Sequence, residues 1–184
     1  MNAKRALTVS LLLAVLGNSA LGLAEVLKFD YPDGKLWVEA NLKDGKLDGL
    51  RKEYYESGKL KVEETYKDGD LDGLRRKFYE NGNLIGEDNY KNGERHGIIR
   101  TYYKSGKLMA ELNYKNGKRD GISKAYYETG KLMGELNYKD GKQDGISKEY
   151  YENGKLRYID TFKDGQKITR EAYDLSGKLQ QRSP

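Results

Sequence analysis

A chain of 184 residues without cysteine is long enough for one domain, and no disulfide can hold it together. Its 34 basic and 29 acidic residues give a formal charge of +5, but they are interspersed rather than clustered, which argues against a nucleic-acid interface. Only 36% of the residues are hydrophobic, yet 16 tyrosines and 22 glycines recur at regular positions, so this is not a disordered composition and tyrosine is the expected main core residue.

The first segment differs from the rest. Lys4 and Arg5 precede an apolar run from Ala6 to Leu16, and small residues follow down to Ala24. A charged start, a short apolar stretch and a small-residue end have the form of a secretory signal peptide, with cleavage expected after Ala24. The apolar run is too short to span a bilayer, and no cysteine follows it to carry a lipid anchor. The reading is a removed leader over residues 1–24 and a mature domain over 25–184. The protein is then exported, to a periplasm, an outer surface or the medium.

From Tyr31 to about Asp174 the sequence repeats every 24 residues. Gly34, Gly58, Gly82, Gly106, Gly130 and Gly154 form one series, and Gly45 to Gly165 and Gly49 to Gly145 form two more at the same spacing. Six units result, the last degenerate: the third series lapses at Thr169, and Gly177 comes one residue early. A fixed period of this length signals a quasi-one-dimensional stack in which each unit is completed by its neighbours.

Each unit contains two strand-like runs and two turns. In the second unit the run 50–55 meets Glu56-Ser57-Gly58, and the run 59–66 meets Lys67-Asp68-Gly69. A polar pair followed by glycine predicts a three-residue hairpin loop, with glycine in the left-handed position. Tyr55 then lies opposite Lys59 and Tyr54 opposite Leu60. Even-numbered positions would share an apolar face that includes Leu60, Val62 and Tyr66, together with the columns Leu50, Leu74, Ile98, Ile122, Ile146 and Tyr54, Phe78, Tyr102, Tyr126, Tyr150. Lys59, Lys61, Glu63 and Thr65 would occupy the wetter odd face. The same register pairs Arg51 with Glu63, Arg75 with Glu87 and Lys61 with Glu53. It leaves Lys52, Arg76, Arg100, Lys124 and Lys148 on the apolar face, their stems over tyrosine rings. The predicted fold is all-β: an elongated, curved, single-layer antiparallel β-meander of six 24-residue hairpin repeats.

At this point the residues resemble a known family. The pattern YYxxGKLxxExxYKxGKxDGxxKx is similar to the bacterial variant of the MORN repeat, best matched in the YwqK-type family, whose members are often labelled antitoxins. The resemblance implies an elongated, curved sheet that contacts proteins and, in some eukaryotic members, membrane lipids. It implies no catalytic residues. The first unit departs from the pattern at Leu42 and the sixth at Ile159.

Chemistry-bearing patterns give bland readings. His96, the one histidine, stands in an aspartate column just before a turn glycine, so no histidine triad or multi-histidine metal site can form within one chain. Asp68, Asp70, Asp72 and Gly73 imitate the start of a calcium loop, but its twelfth position is Tyr79 instead of a glutamate. Glu39, Glu63, Glu87, Glu111 and Glu135 recur in equivalent settings, without the unequal pair that glycoside hydrolysis needs. No catalytic residue, metal or cofactor is assigned. The candidate partner contacts are Tyr55, Tyr79, Tyr103, Tyr127 and Tyr151, one aromatic per unit on the odd face. The function expected is that of an exported, non-enzymatic protein-binding or scaffold module of the cell envelope. Two alternatives are docking on anionic lipids or glycans and YwqK-type inhibition of a partner protein. The antitoxin label fits export poorly, since a leader would carry the chain away from a cytoplasmic toxin.

Overall fold

The computed structural model describes residues 24–183; the expected leader, apart from Ala24, lies outside the described residues. The chain opens with β1 (Ala24–Asp30), β2 (Leu36–Lys43), β3 (Lys46–Tyr54), β4 (Leu60–Lys67), β5 (Asp70–Phe78) and β6 (Leu84–Lys91). Next come β7 (Glu94–Arg95), β8 (Gly97–Tyr102), β9 (Leu108–Lys115), β10 (Lys118–Arg119), β11 (Gly121–Tyr126) and β12 (Leu132–Lys139). The last are β13 (Lys142–Gln143), β14 (Gly145–Tyr150), β15 (Leu156–Lys163), β16 (Gln166–Tyr173) and β17 (Leu179–Ser183). All pairings are antiparallel between successive passes of the chain, and β7 with β8, β10 with β11 and β13 with β14 are halves of interrupted passes. The result is one open, curved meander. β1 precedes the first repeat and adds a strand that the 24-residue period did not include.

Two turn types alternate. At the first, Gly58 N–H donates to the Tyr55 carbonyl (2.8 Å) and Tyr55 N–H to that of Lys59 (2.8 Å), with Gly58 at φ +81, as the three-residue loop requires. The second differs from expectation. Lys67 pairs with Asp70, so only Asp68 (φ 52) and Gly69 (φ 99) form the loop, and two positive φ values in succession make a type I′ turn.

The expected faces need correction. Tyr54 does pair with Leu60, but Glu53 pairs with Val62, so Lys61 is an extra, bulged residue. One inserted residue shifts everything beyond it to the opposite face. Arg51 therefore faces Glu64 and Lys52 faces Glu63, while Arg75 faces Asp88 and Arg76 faces Glu87. The expected contact between Lys61 and Glu53 is present, with Nζ 2.7 Å from Oε1. A second irregularity in each unit falls at the third glycine series, where Glu64 pairs with Arg75 but Tyr66 with Leu71.

Val62, Glu64 and Tyr66 thus share the inner face with Arg51 and Glu53. Leu50, Lys52, Tyr54, Leu60, Glu63 and Thr65 share the outer face. Burial follows this division. Val38, Ala40, Leu42, Glu64, Ile99, Ser123, Ser147 and Asp160 are buried, and all are inner-face residues. A flat single layer would leave both faces equally wet, so the sheet curls toward the inner face. The curl is densest at the start, where Leu27 and Phe29 of β1 lie opposite Ala40 and Val38.

Farther along, the inner row changes from Arg51–Glu64 and Arg75–Asp88 to Ile99–Leu112, Ser123–Leu136 and Ser147–Asp160. Ser123 is 1% exposed and its hydroxyl has no protein partner. Burying a hydroxyl without a bond is unfavourable, and removing it should help. Ser123→Ala is expected to raise unfolding stability by about 1 kcal/mol in a urea titration.

Candidate binding surfaces

The predicted contact tyrosines are half-buried on the inner side of the sheet, at the three-residue turns. Four of them brace the next unit. Hydroxyls of Tyr55, Tyr103, Tyr127 and Tyr151 donate to the carbonyls of Phe78 (2.6 Å), Tyr126 (2.7 Å), Tyr150 (2.8 Å) and Tyr173 (2.9 Å). Tyr31 makes the same bond to Tyr54 (2.7 Å). Tyr79 holds its own turn closed through its backbone, N–H to the Asn83 carbonyl at 2.8 Å. The repeat spacing sets this brace, because the ring spans the gap to the next strand pair and finds a backbone acceptor there. Tyr127→Phe keeps the ring and loses one part-buried bond. It should lower stability by about 1 kcal/mol, read by chemical denaturation.

On the outer face the basic residues expected among apolar neighbours stand in a row with the glutamate column, since the bulge brings the glutamates to their side. Lys28, Glu39, Lys52, Glu63, Arg76, Glu87, Arg100, Glu111, Lys124, Glu135 and Lys148 face one another in strict alternation across successive strands. Arg76 contacts acids on both sides, Glu63 at 3.4 Å and Glu87 at 3.2 Å. Tyr54 donates to Glu39 (2.9 Å) and Tyr102 to Glu87 (3.2 Å). Burial, reinforced by Glu39, pushes the Tyr54 phenol up to about 12. Every glutamate of the row is paired with a lysine or arginine, and Glu39, Glu87 and Glu111 also accept a tyrosine hydroxyl. No carboxylate in the row is set apart as an acid or a nucleophile.

Beside this row lies another that the sequence had assigned to the buried face. Leu50 (42% exposed), Ile98 (40%), Ile122 (47%) and Ile146 (53%) point to solvent at one position per unit. Between them stand Asn89, Asn113 and Asn137, whose side-chain amides donate to the carbonyls of Ile98, Ile122 and Ile146. The Ile/Leu column at period 24 was visible in the sequence, but its orientation depends on the bulge at Lys61 and its equivalents.

A third feature is a polar cleft of about 370 Å³ at the type I′ edge, lined by Lys115, Asn116, Lys118, Asp120, Lys139 and Asp140. His96 is exposed, and its backbone N–H donates to Asn89 (2.9 Å). Among the described residues no cluster of three or more His, Asp or Glu side chains could hold a metal ion.

An open, bulged meander with an Asp/Asn-Gly turn in each unit and a tyrosine brace in most of them defines a class of repeat protein. Residues 47–68, 71–92, 95–116, 119–140 and 143–164 match the family described as MORN repeat variant, and together they cover more than half of the chain. The chain belongs to that family, whose repeats generally serve as protein- or lipid-binding modules. No characterised protein matches the chain significantly.

Proposed function

We propose that the protein is an exported, non-enzymatic scaffold that binds another protein across its outer face. The observation that supports this most is the solvent-facing row Leu50, Ile98, Ile122 and Ile146. Aliphatic side chains on every second strand, with asparagines between them, form an apolar strip interrupted by fixed amides and flanked by charge, which gives a partner both apolar contacts and a polar rim. The amides between them are tied to the backbone and so keep the row fixed. Export rests on the leader over residues 1–24.

The test is cross-linking of the purified protein in an envelope extract, comparing wild type with the paired change Ile98→Asp and Ile122→Asp. Loss of one defined cross-linked partner, with the melting profile retained, is the expected result. Capture unchanged by that pair but abolished by Tyr103→Ala with Tyr127→Ala would move the contact to the tyrosine row. If that partner proves to be a toxin silenced on binding, the YwqK-type reading applies.

The lysine-lined cleft supports a second reading, docking on anionic lipid or glycan. That reading requires co-sedimentation with phosphatidylserine vesicles or a sulfated polysaccharide that weakens steeply with salt. No sedimentation at low ionic strength rules it out.

A further inference from the structure

The alternating outer row does not continue to the end of the sheet. It runs base, acid, base from Lys28 to Lys148, and Ile159 of β15 then stands where the next acid belongs. Beyond Ile159 the order resumes in the opposite phase: Glu171 of β16 occupies a base position, and Arg182 of β17 an acid position. The reversal leaves a cation on each outermost described strand, Lys28 on β1 and Arg182 on β17.

Both cations are half-satisfied. Inside the sheet Arg76 has a carboxylate on either side. Among the described residues Arg182 pairs with Glu171 alone, at 2.7 Å, and its side chain is 70% exposed. Among those residues Lys28 pairs with Glu39 alone, at 3.9 Å. β17 runs antiparallel to β16 and pairs with no other described strand, so its outward backbone groups can accept one more strand.

β17 runs in the same sense as β15 and β2, so a strand added antiparallel to it runs in the sense of β1. If β1 of a second copy took that place in the repeat register, its Lys28 would meet Arg182. Like charges directly opposite destabilise a strand pair. Had the alternation kept its phase, an acid would stand at position 182 and successive copies would be matched end to end. We propose that the β17 edge is a docking strand for an extended segment of another protein that bears a carboxylate opposite Arg182, and that the phase reversal closes this edge to a second copy. The residues flanking Arg182, Gln181 and Ser183, are polar and lie toward the inner face, opposite Ala172 and Arg170. The segment is therefore acidic on its outer side and polar on its inner side, and strand addition supplies its backbone bonds.

This edge is separate from the aliphatic row, so its test is independent of the outer-face reading. The probes are two capped heptapeptides of threonine, one with a central glutamate and one with a central lysine. Each is titrated into the ¹⁵N-labelled full chain. The expected result is amide shifts confined to β16 and β17, with the glutamate peptide binding about five-fold more tightly than the lysine peptide. In the variant Glu171→Lys with Arg182→Glu, the pair is kept in reversed order and the preference should invert. Shifts absent from β17 with both peptides, or a preference unchanged by the reversal, would overturn the proposal.

Discussion

Asp160→Ala is expected to destabilise the C-terminal part of the sheet by about 2–4 kcal/mol. Asp160 is buried, yet it accepts two bonds from Arg170 (Nε and Nη2, both 2.7 Å) and pairs with Lys167 Nζ at 3.1 Å. Arg170 in turn lies 4.1 Å over the Tyr158 ring. Removing the carboxylate leaves two neighbouring cations without the acid that bridges them. Units in a stacked sheet are stabilised mainly by their neighbours, so the loss should appear as early opening of β15 to β17 and not as uniform weakening. Hydrogen exchange resolved along the chain would locate it, and equal loss of protection from β2 to β17 would contradict it.

The same site fixes a pH dependence. Hydrogen bonding from Arg170, followed by the pairing with Lys167, holds the Asp160 carboxyl below its ordinary value. A carboxyl depressed in the folded state contributes stability above its unfolded pKa and loses it as pH falls through the folded value. The C-terminal segment of the wild type should therefore lose protection below about pH 4, and the Asp160→Ala variant should lack that transition.

Gly73→Ala is the second large effect, a loss of about 2–3 kcal/mol. Gly73 sits in the bulge of β5 at φ +120, and an added Cβ would come within 3.1 Å of the Thr65 Cβ. Backbone strain and the clash with a packed, β-branched neighbour act together. Gly97 holds the equivalent place two passes on, at φ +82 and with open space around a new Cβ. Gly97→Ala should cost about 1 kcal/mol, the backbone part alone. Equal losses at the two sites in urea titrations would show that packing at Thr65 contributes nothing.

The architecture was legible because glycine spacing reports backbone conformation directly. Gly58 and its equivalents marked the three-residue turns correctly. Lys67-Asp68-Gly69 was misread by one residue, because aspartate, like glycine, tolerates the left-handed region and so can supply half of a type I′ loop. The faces were not legible. Strict alternation from Leu60 to Tyr66 conceals the bulge, and a single unpaired residue, Lys61, reverses the side on which Val62 and Tyr66 lie. A signal was nonetheless present. Adjacent acids, Glu63-Glu64 and Glu87-Asp88, accompany adjacent bases, Arg51-Lys52 and Arg75-Arg76, and doubled letters of this kind fit one pair on each face. The tyrosine row was found as residues, but its brace was not, because the acceptor is a backbone carbonyl of the following unit. The solvent-facing row Leu50, Ile98, Ile122 and Ile146 was found as a column and placed on the wrong side for the same reason as Val62.

The placement of inner and outer faces underlies both the stability and the binding surfaces, and two neighbouring positions test it. Ile122 is 47% exposed on the outer face and Ser123 is 1% exposed on the inner face. The chain has no cysteine, so Ile122→Cys and Ser123→Cys each provide a single thiol in the same strand. Under native conditions the Ile122→Cys variant should react with a maleimide at close to the rate of an unfolded control. The Ser123→Cys variant should react slower by roughly two orders of magnitude, as for a site that reacts only when the strand opens. Equal rates, or faster reaction at position 123, would contradict the bulged register and the surfaces built on it.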